Sequence, residues 1–293
     1  MAVGSAFVFN NTLAGQDAKN YIATMAQLDA VLSASAELVP QVLEAPERGS
    51  PMGAAYEKKL RDPYEQAGLL WLSSEDHLRT VLGILQQNLL PMFSLYSLLR
   101  PAAEADVLIA YLLDADITER QRLGRGLNVR FETVKERNKV KPDPQFFAER
   151  LAHLEQRATT NGLTVQRSKP KKGPAEVTGF GEAMKQAVPL FDTYHDGKAL
   201  LYRVLSSHAH ARPWAWMDSS KAVPTAEPGV SLLKAELDIS MYVSVLVLTI
   251  KTHERALVRL LELAGRTKDE WDAAKQTHID RVRPRYLAML GVQ

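Results

Sequence analysis

The chain has no cysteine in 293 residues. Disulfides, thiolate metal sites and cysteine nucleophiles are therefore excluded, and the composition fits a reducing compartment. Excess charge is also lacking. Lys and Arg number 36 against 34 Asp and Glu, a formal charge of +2, so bulk charge does not point to nucleic acid. Apolar residues come in runs broken by polar ones; Ile239 to Ile250 is too short to span a bilayer and leads into Lys251, His253, Glu254 and Arg255. Met1 to Asn11 carries the short run Ala6-Phe7-Val8-Phe9, without the basic region or extended apolar core of a secretion signal. A cytoplasmic protein with no membrane contact is expected. The chain also lacks GxxxxGK[ST], GxGxxG, GxSxG and HExxH signatures. Two glycine pairs, Gly124/Gly126 and Gly179/Gly181, do not follow a predicted strand. β-Branched runs are short and lack turn-bounded alternation, so no strand is predicted.

Helical spacing is present almost throughout. Tyr21, Ile22, Met25, Leu28, Val31 and Leu32 recur on one face of a helix from about Asp17 to Glu44, after an irregular lead-in over 1–16. Residues 45–65 read as a loop with one helical turn. A broad apolar face predicts a buried helix from about Glu65 to Leu90, and another from Pro91 to about Asp114, bent at Pro101. Thr118 with Gln121 resembles a capping box at the head of a basic helix to about Lys139. That helix reads as a solvated outer face or as a basic wall for a phosphate-bearing ligand. Asp143 to Thr160 is a further helix. Residues 162–178 form a basic surface loop, and 181–187 a short helix. A central helix is predicted from Asp192 to Ala211, ended by Pro213, then a loop over 212–229. Long helices over Leu232 to Leu263 and Thr267 to Leu290 complete the chain. The expected fold is all-α: a single domain over 1–293, built as a bundle of long antiparallel helices.

The chemistry concentrates in Tyr202-Arg203-Val204-Leu205-Ser206-Ser207-His208-Ala209-His210-Ala211-Arg212-Pro213-Trp214. At about 100° per residue, Arg203 and His210 lie on nearly the same face, with Ser206 between them. His208 and His210 differ by about 200°, so they cannot clamp one metal from a regular helix. No metal and no cofactor are expected. Arginine offers a fixed fork of donors to phosphate, and imidazole moves protons near neutral pH. Together they suit RNA cleavage by attack of the 2′-hydroxyl on its own phosphate. The same residues can instead be structural, with Arg203 paired to a carboxylate and His210 at the helix end. Arg100 and Glu104, spaced i, i+4, form an intrahelical ion pair or orient Arg203 or His210 from a facing helix. Trp214 and Trp216 either stack on a base or, the more usual role, close the core below a loop. A helical metal or small-ligand protein using Glu104, His195 and His210 is a further option.

Arg203 to His210 resembles the R-x(4–6)-H pattern of the HEPN superfamily, all-helical domains that include metal-independent ribonucleases of toxin–antitoxin and phage-defence systems. His208 and His210 both satisfy the spacing, and helical phase favours His210. Tyr202-Arg203-x-Leu205-Ser206-x-x-x-His210 and Arg100-x-x-x-Glu104 look like an actinobacterial branch of HEPN-like proteins, over roughly residues 75–265. Val204 stands where active members often carry a polar residue. The resemblance implies a HEPN-like fold and a homodimer in which two motif copies meet. It implies Arg203 on phosphate, His210 or His208 in proton transfer, and Ser206, Arg100 and Glu104 organising them. RNA and an antitoxin or defence-system protein are the implied partners. The alternative is a non-catalytic helical binding or assembly protein with a structural Arg/Ser/His stripe.

Overall fold

The structure, a computed structural model, describes residues 15–87, 91, 93–169, 175–218, 220–224, 231–235 and 238–289. The lead-in up to residue 14 and the basic stretch 170–174 lie outside these. Helices dominate, and the chain is an all-α bundle. In order come α1 (Gly15–Glu44), α2 (Pro51–Glu57), α3 (Asp62–Gln86), α4 (Ser94–Leu112), α5 (Glu119–Val140) and α6 (Pro144–Thr160). After a small sheet follow α7 (Ala187–Tyr194), α8 (Lys198–Ala209), α9 (Pro213–Asp218), α10 (Ile239–Leu263) and α11 (Lys268–Met289).

Local chemistry sets these boundaries. Thr118 Oγ1 accepts the Gln121 N–H at 3.2 Å, while Gln121 Oε1 accepts the Thr118 N–H at 2.9 Å, a complete capping box for α5. Asp143 caps α6 through Phe146 N–H, and Asp238 caps α10 through Met241 N–H. Pro40 and Pro101 lie inside helices that continue through them.

The main core joins α1, α3, α4 and α10, with α8 and α7 on α4 and with α11 along α1. Met25, Leu28, Leu78, Leu99, Ile109, Leu246, Ile250 and Trp271 are fully buried there. Each such side chain contributes about 1.5–3 kcal/mol by leaving water. One helix, residues 16–44, is long and apolar enough to cross a membrane by length and composition, and its apolar face is buried in this core. A second apolar cluster joins α5, α6 and the small sheet through Leu123, Leu127, Phe131, Leu154 and Phe180.

Two small sheets overturn the expectation that no strand forms. β1 (Val165–Arg167), β2 (Val177–Phe180) and β3 (Glu182–Ala183) pair antiparallel in that order, Val165 opposite Phe180. They occupy part of the expected surface loop and replace the expected helix at 181–187. Sequence patterning could not show them, because a strand of two to four residues has no measurable alternation. Asn128 on α5 secures the sheet, accepting the Phe180 N–H at 2.8 Å and donating to the Glu182 carbonyl at 2.6 Å. β4 (Ser220–Pro224) and β5 (Ser231–Ala235) form a hairpin, with Ser220 opposite Ala235. The hairpin and α9 stand where one loop was expected, and α10 begins correspondingly later.

The glycine pair in α5 is explained by close approach. A Cβ on Gly126 would lie 2.7 Å from the Pro63 nitrogen, and one on Gly124 would lie 2.9 Å from the Phe180 carbonyl oxygen. These glycines let α5 press against the head of α3 on one side and the sheet on the other.

Candidate functional site at the end of helix α8

The expected central helix is two helices. α7 ends at Tyr194, and the turn His195-Asp196-Gly197 starts α8. The Gly197 N–H donates to His195 Nδ1 at 2.9 Å, and a Cβ on Gly197 would meet Leu201 Cβ at 2.8 Å. That local ring-to-backbone bond replaces a helical one and breaks the rod. His195 is buried and stacked on Phe191, and burial lowers its pKa to about 4.

α8 buries Leu201, Leu205 and His208 and exposes Arg203. His208 therefore lies on the core side. Its Nδ1 donates to the Val204 carbonyl at 2.9 Å, its ring stacks on Tyr96 at 4.2 Å, and its Nε2 is buried without a partner. Solvent does not reach it easily.

The helix ends in a Schellman turn. The Arg212 N–H donates to the Ser207 carbonyl at 2.8 Å, and the Ala211 N–H to the His208 carbonyl at 3.2 Å. Ala211 sits at φ 49°, where glycine is usual. The turn sends Arg212 and Trp214 back beside α8. They join Tyr202, Arg203, Ser206 and Ser207 around one open recess of about 370 Å³. Trp214 is 47% exposed, which overturns the expectation that it closes the core. The side chain of Trp216 lies outside the described part of the structure. Among the described residues, neither Arg203 nor Arg212 has a carboxylate partner.

His210 leaves this recess. Its N–H still donates to the Ser206 carbonyl at 3.0 Å as the helix cap, but its exposed ring meets α4. His210 Nε2 lies 2.6 Å from Arg100 Nη1. A guanidinium has only donors, so Nε2 accepts and the ring proton sits on Nδ1. Arg100 Nε donates to Glu104 at 2.9 Å, and the guanidinium lies 5.6 Å from the Tyr202 ring centre. Glu104, Arg100 and His210 thus form one hydrogen-bonded chain, and Tyr202 borders both it and the recess. Of the six residues singled out in the sequence, the structure brings Arg203 and Ser206 to the recess. It places Arg100, Glu104 and His210 in the adjoining chain and buries His208 elsewhere.

Most of the basic residues of α5 are occupied. Arg125 is buried and bonds Glu182, the Tyr111 carbonyl and Asp114. Arg130 bonds Asp62 and Glu65, and Lys135 and Lys139 bond Glu132 and Glu136.

One polar cluster was invisible to sequence spacing. Fully buried His253 on α10 places Nδ1 2.8 Å from Asp106 and 3.1 Å from Ser74, and Nε2 3.6 Å from Glu75. Ser35 donates to Glu75 at 2.7 Å, and Arg79 closes the set from the rim. Burial by itself would lower the His253 pKa, but Asp106 and Glu75 outweigh it and raise it to about 10. The ring is an imidazolium between two carboxylates. Four helices supply this cluster, so only the assembled fold reveals it.

Among the described residues, no group of three or more His, Asp or Glu side chains is placed to hold a metal ion. Glu104, His195 and His210 do not converge, since His195 is buried at the α7–α8 turn. No family model, curated protein or solved structure matches this chain.

Proposed function

We propose that the protein is a HEPN-like RNA-binding or RNA-cleaving protein that works without metal, as a cytoplasmic homodimer in a stress, toxin–antitoxin or phage-defence system. An antitoxin or another defence protein would be its partner. The observation that carries the reading is one recess that joins an exposed tryptophan to two exposed arginines with no carboxylate partner among the described residues. Arg203 and Arg212 suit a phosphodiester, since two fixed forks of donors can offset its growing charge. Trp214 offers a face for an unpaired base. His210 stands next door with a protonated Nδ1, and its Nε2 is held by Arg100. A phosphate that draws Arg100 away frees Nε2 to take the 2′-hydroxyl proton as that oxygen bonds phosphorus; the P–O5′ bond breaks, and the departing 5′-oxygen takes a proton from water. Glu104 keeps Arg100 close by its Nε while the Nη groups turn.

The test is RNA cleavage in EDTA by wild type, Arg203→Ala, Arg212→Ala and His210→Ala. Wild type is expected to cleave, with each variant slower by about 10²-fold or more. Absence of cleavage in wild type, or equal rates in all four, would refute the catalytic reading.

One observation favours a second reading, the non-catalytic binding module. His210 Nε2 is already satisfied within one chain, and His210 does not line the recess. RNA binding that depends on Arg203 and Arg212, with no cleavage, would establish this reading.

A further inference from the structure

We propose a second ligand site, on the hairpin of α5 and α6, that binds a small phosphomonoester with an apolar or aromatic body. The site lies apart from α8 and does not depend on the RNA reading. The two helices run antiparallel through the turn at 141–143 and lay Arg130, Val134 and Arg137 of one against Phe146, Arg150, His153 and Leu154 of the other. Arg130, Val134, Arg150, His153 and Leu154 enclose a recess of about 300 Å³. That is small for a drug-sized ligand but larger than one phosphate needs.

Three features point to an anion. First, Arg137 and Arg150 converge on one ring. Their guanidinium carbons lie 3.6 Å and 5.2 Å from the Phe146 centre. Two like charges held on one small surface repel unless something negative offsets them. Second, no carboxylate among the described residues does so. Among the described residues, Arg137, Arg150 and His153 have no carboxylate partner, whereas the neighbouring Lys135, Lys139, Arg130 and Arg157 all do. Third, Arg137, which packs on Phe146 beside the recess, has Nη1 buried and without a hydrogen bond. A buried donor without an acceptor is unfavourable, and native folds rarely keep one. Arg130 also lines the recess, with its charge already paired to Asp62 at 2.8 Å and Glu65 at 3.0 Å.

Arginine forks match phosphate oxygens in pairs. The dianion of a phosphomonoester offsets two guanidinium charges, which a single carboxylate does not. Val134 and Leu154 line the recess and supply the apolar surface that would hold the remainder of the molecule.

Calorimetric titration of the full chain with AMP, inorganic phosphate and adenosine tests this, with Arg137→Gln, Arg150→Gln and, as a control on α11, Arg281→Gln. AMP is expected to bind saturably and more tightly than inorganic phosphate, and adenosine not at all. Arg150→Gln and Arg137→Gln should each weaken AMP by about tenfold or more, while Arg281→Gln leaves it unchanged. Arg150 is exposed, so its variant keeps the test valid even if Arg137→Gln fails to fold. The proposal is overturned if wild type does not bind AMP, if adenosine binds as well as AMP, or if Arg150→Gln binds like wild type. It is also overturned if a single-stranded RNA oligonucleotide, but not AMP, loses affinity in Arg150→Gln, because the surface would then be a nucleic-acid backbone contact.

Discussion

Replacing His253 with leucine should produce one of the largest single-residue losses of stability in this chain. Leucine roughly keeps the volume, so the change isolates charge from packing. His253→Leu leaves Asp106 fully buried and facing an apolar side chain. Removing one partner of a buried ion pair costs about 3–5 kcal/mol. Glu75 retains Ser35 and Arg79, so most of the loss belongs to Asp106. Asp106→Leu combined with His253→Leu should recover most of it, since an apolar pair of similar volume is often neutral or stabilising. The sign with pH follows. In wild type, His253 is raised from near 6.5 to about 10. Its contribution is complete below about pH 6.5 and fades as pH rises toward 10. Urea denaturation at pH 5, 7 and 9 reads all three effects. A single variant within about 1 kcal/mol of wild type, or a double variant no better than the single, would refute the reasoning.

Other outcomes follow from the same geometry. Gly126→Ala should destabilise by about 1–3 kcal/mol in a thermal melt, because its Cβ meets the Pro63 backbone at 2.7 Å. Leu205→Ala, which empties a fully buried position under the recess, should cost about 2–5 kcal/mol in urea denaturation. Ala211→Gly should be neutral or stabilising by up to about 1 kcal/mol, and Ala211→Val clearly destabilising, because φ is 49° there. Arg100→Gln should change stability by less than about 1 kcal/mol, since its ion pair is partly exposed. It should also shift the His210 ring away from its Nδ1–H tautomer, read by ¹⁵N chemical shifts.

Much of the helical frame is readable in the sequence because it rests on local signals. The Thr118/Gln121 box, Pro144 behind Asp143 and the apolar spacing of Leu78, Val81 and Leu85 each act within a few residues. The helical phase of α8 is local too, and it separates exposed Arg203 from buried His208. The rest depends on contacts between distant segments. The break before α8 comes from Gly197 pressed on Leu201 and from the His195 ring, details that apolar spacing cannot show. Trp214 is exposed because the Schellman turn at Ala211 aims it outward. The reach of Arg100 to His210 across 110 positions is one of the roles its i, i+4 spacing with Glu104 leaves open, and spacing alone does not select it. His253, Asp106 and Glu75 meet across three helices, and no spacing rule connects them.

In the proposed reaction, the α8 recess handles a ribose phosphate by way of its 2′-hydroxyl. Cleavage of an RNA oligonucleotide in EDTA, beside the same oligonucleotide with 2′-deoxyriboses throughout, tests it most directly. The RNA should be cut to 2′,3′-cyclic phosphate ends, and the deoxy version should stay intact. Cleavage of both, or of neither, would contradict it.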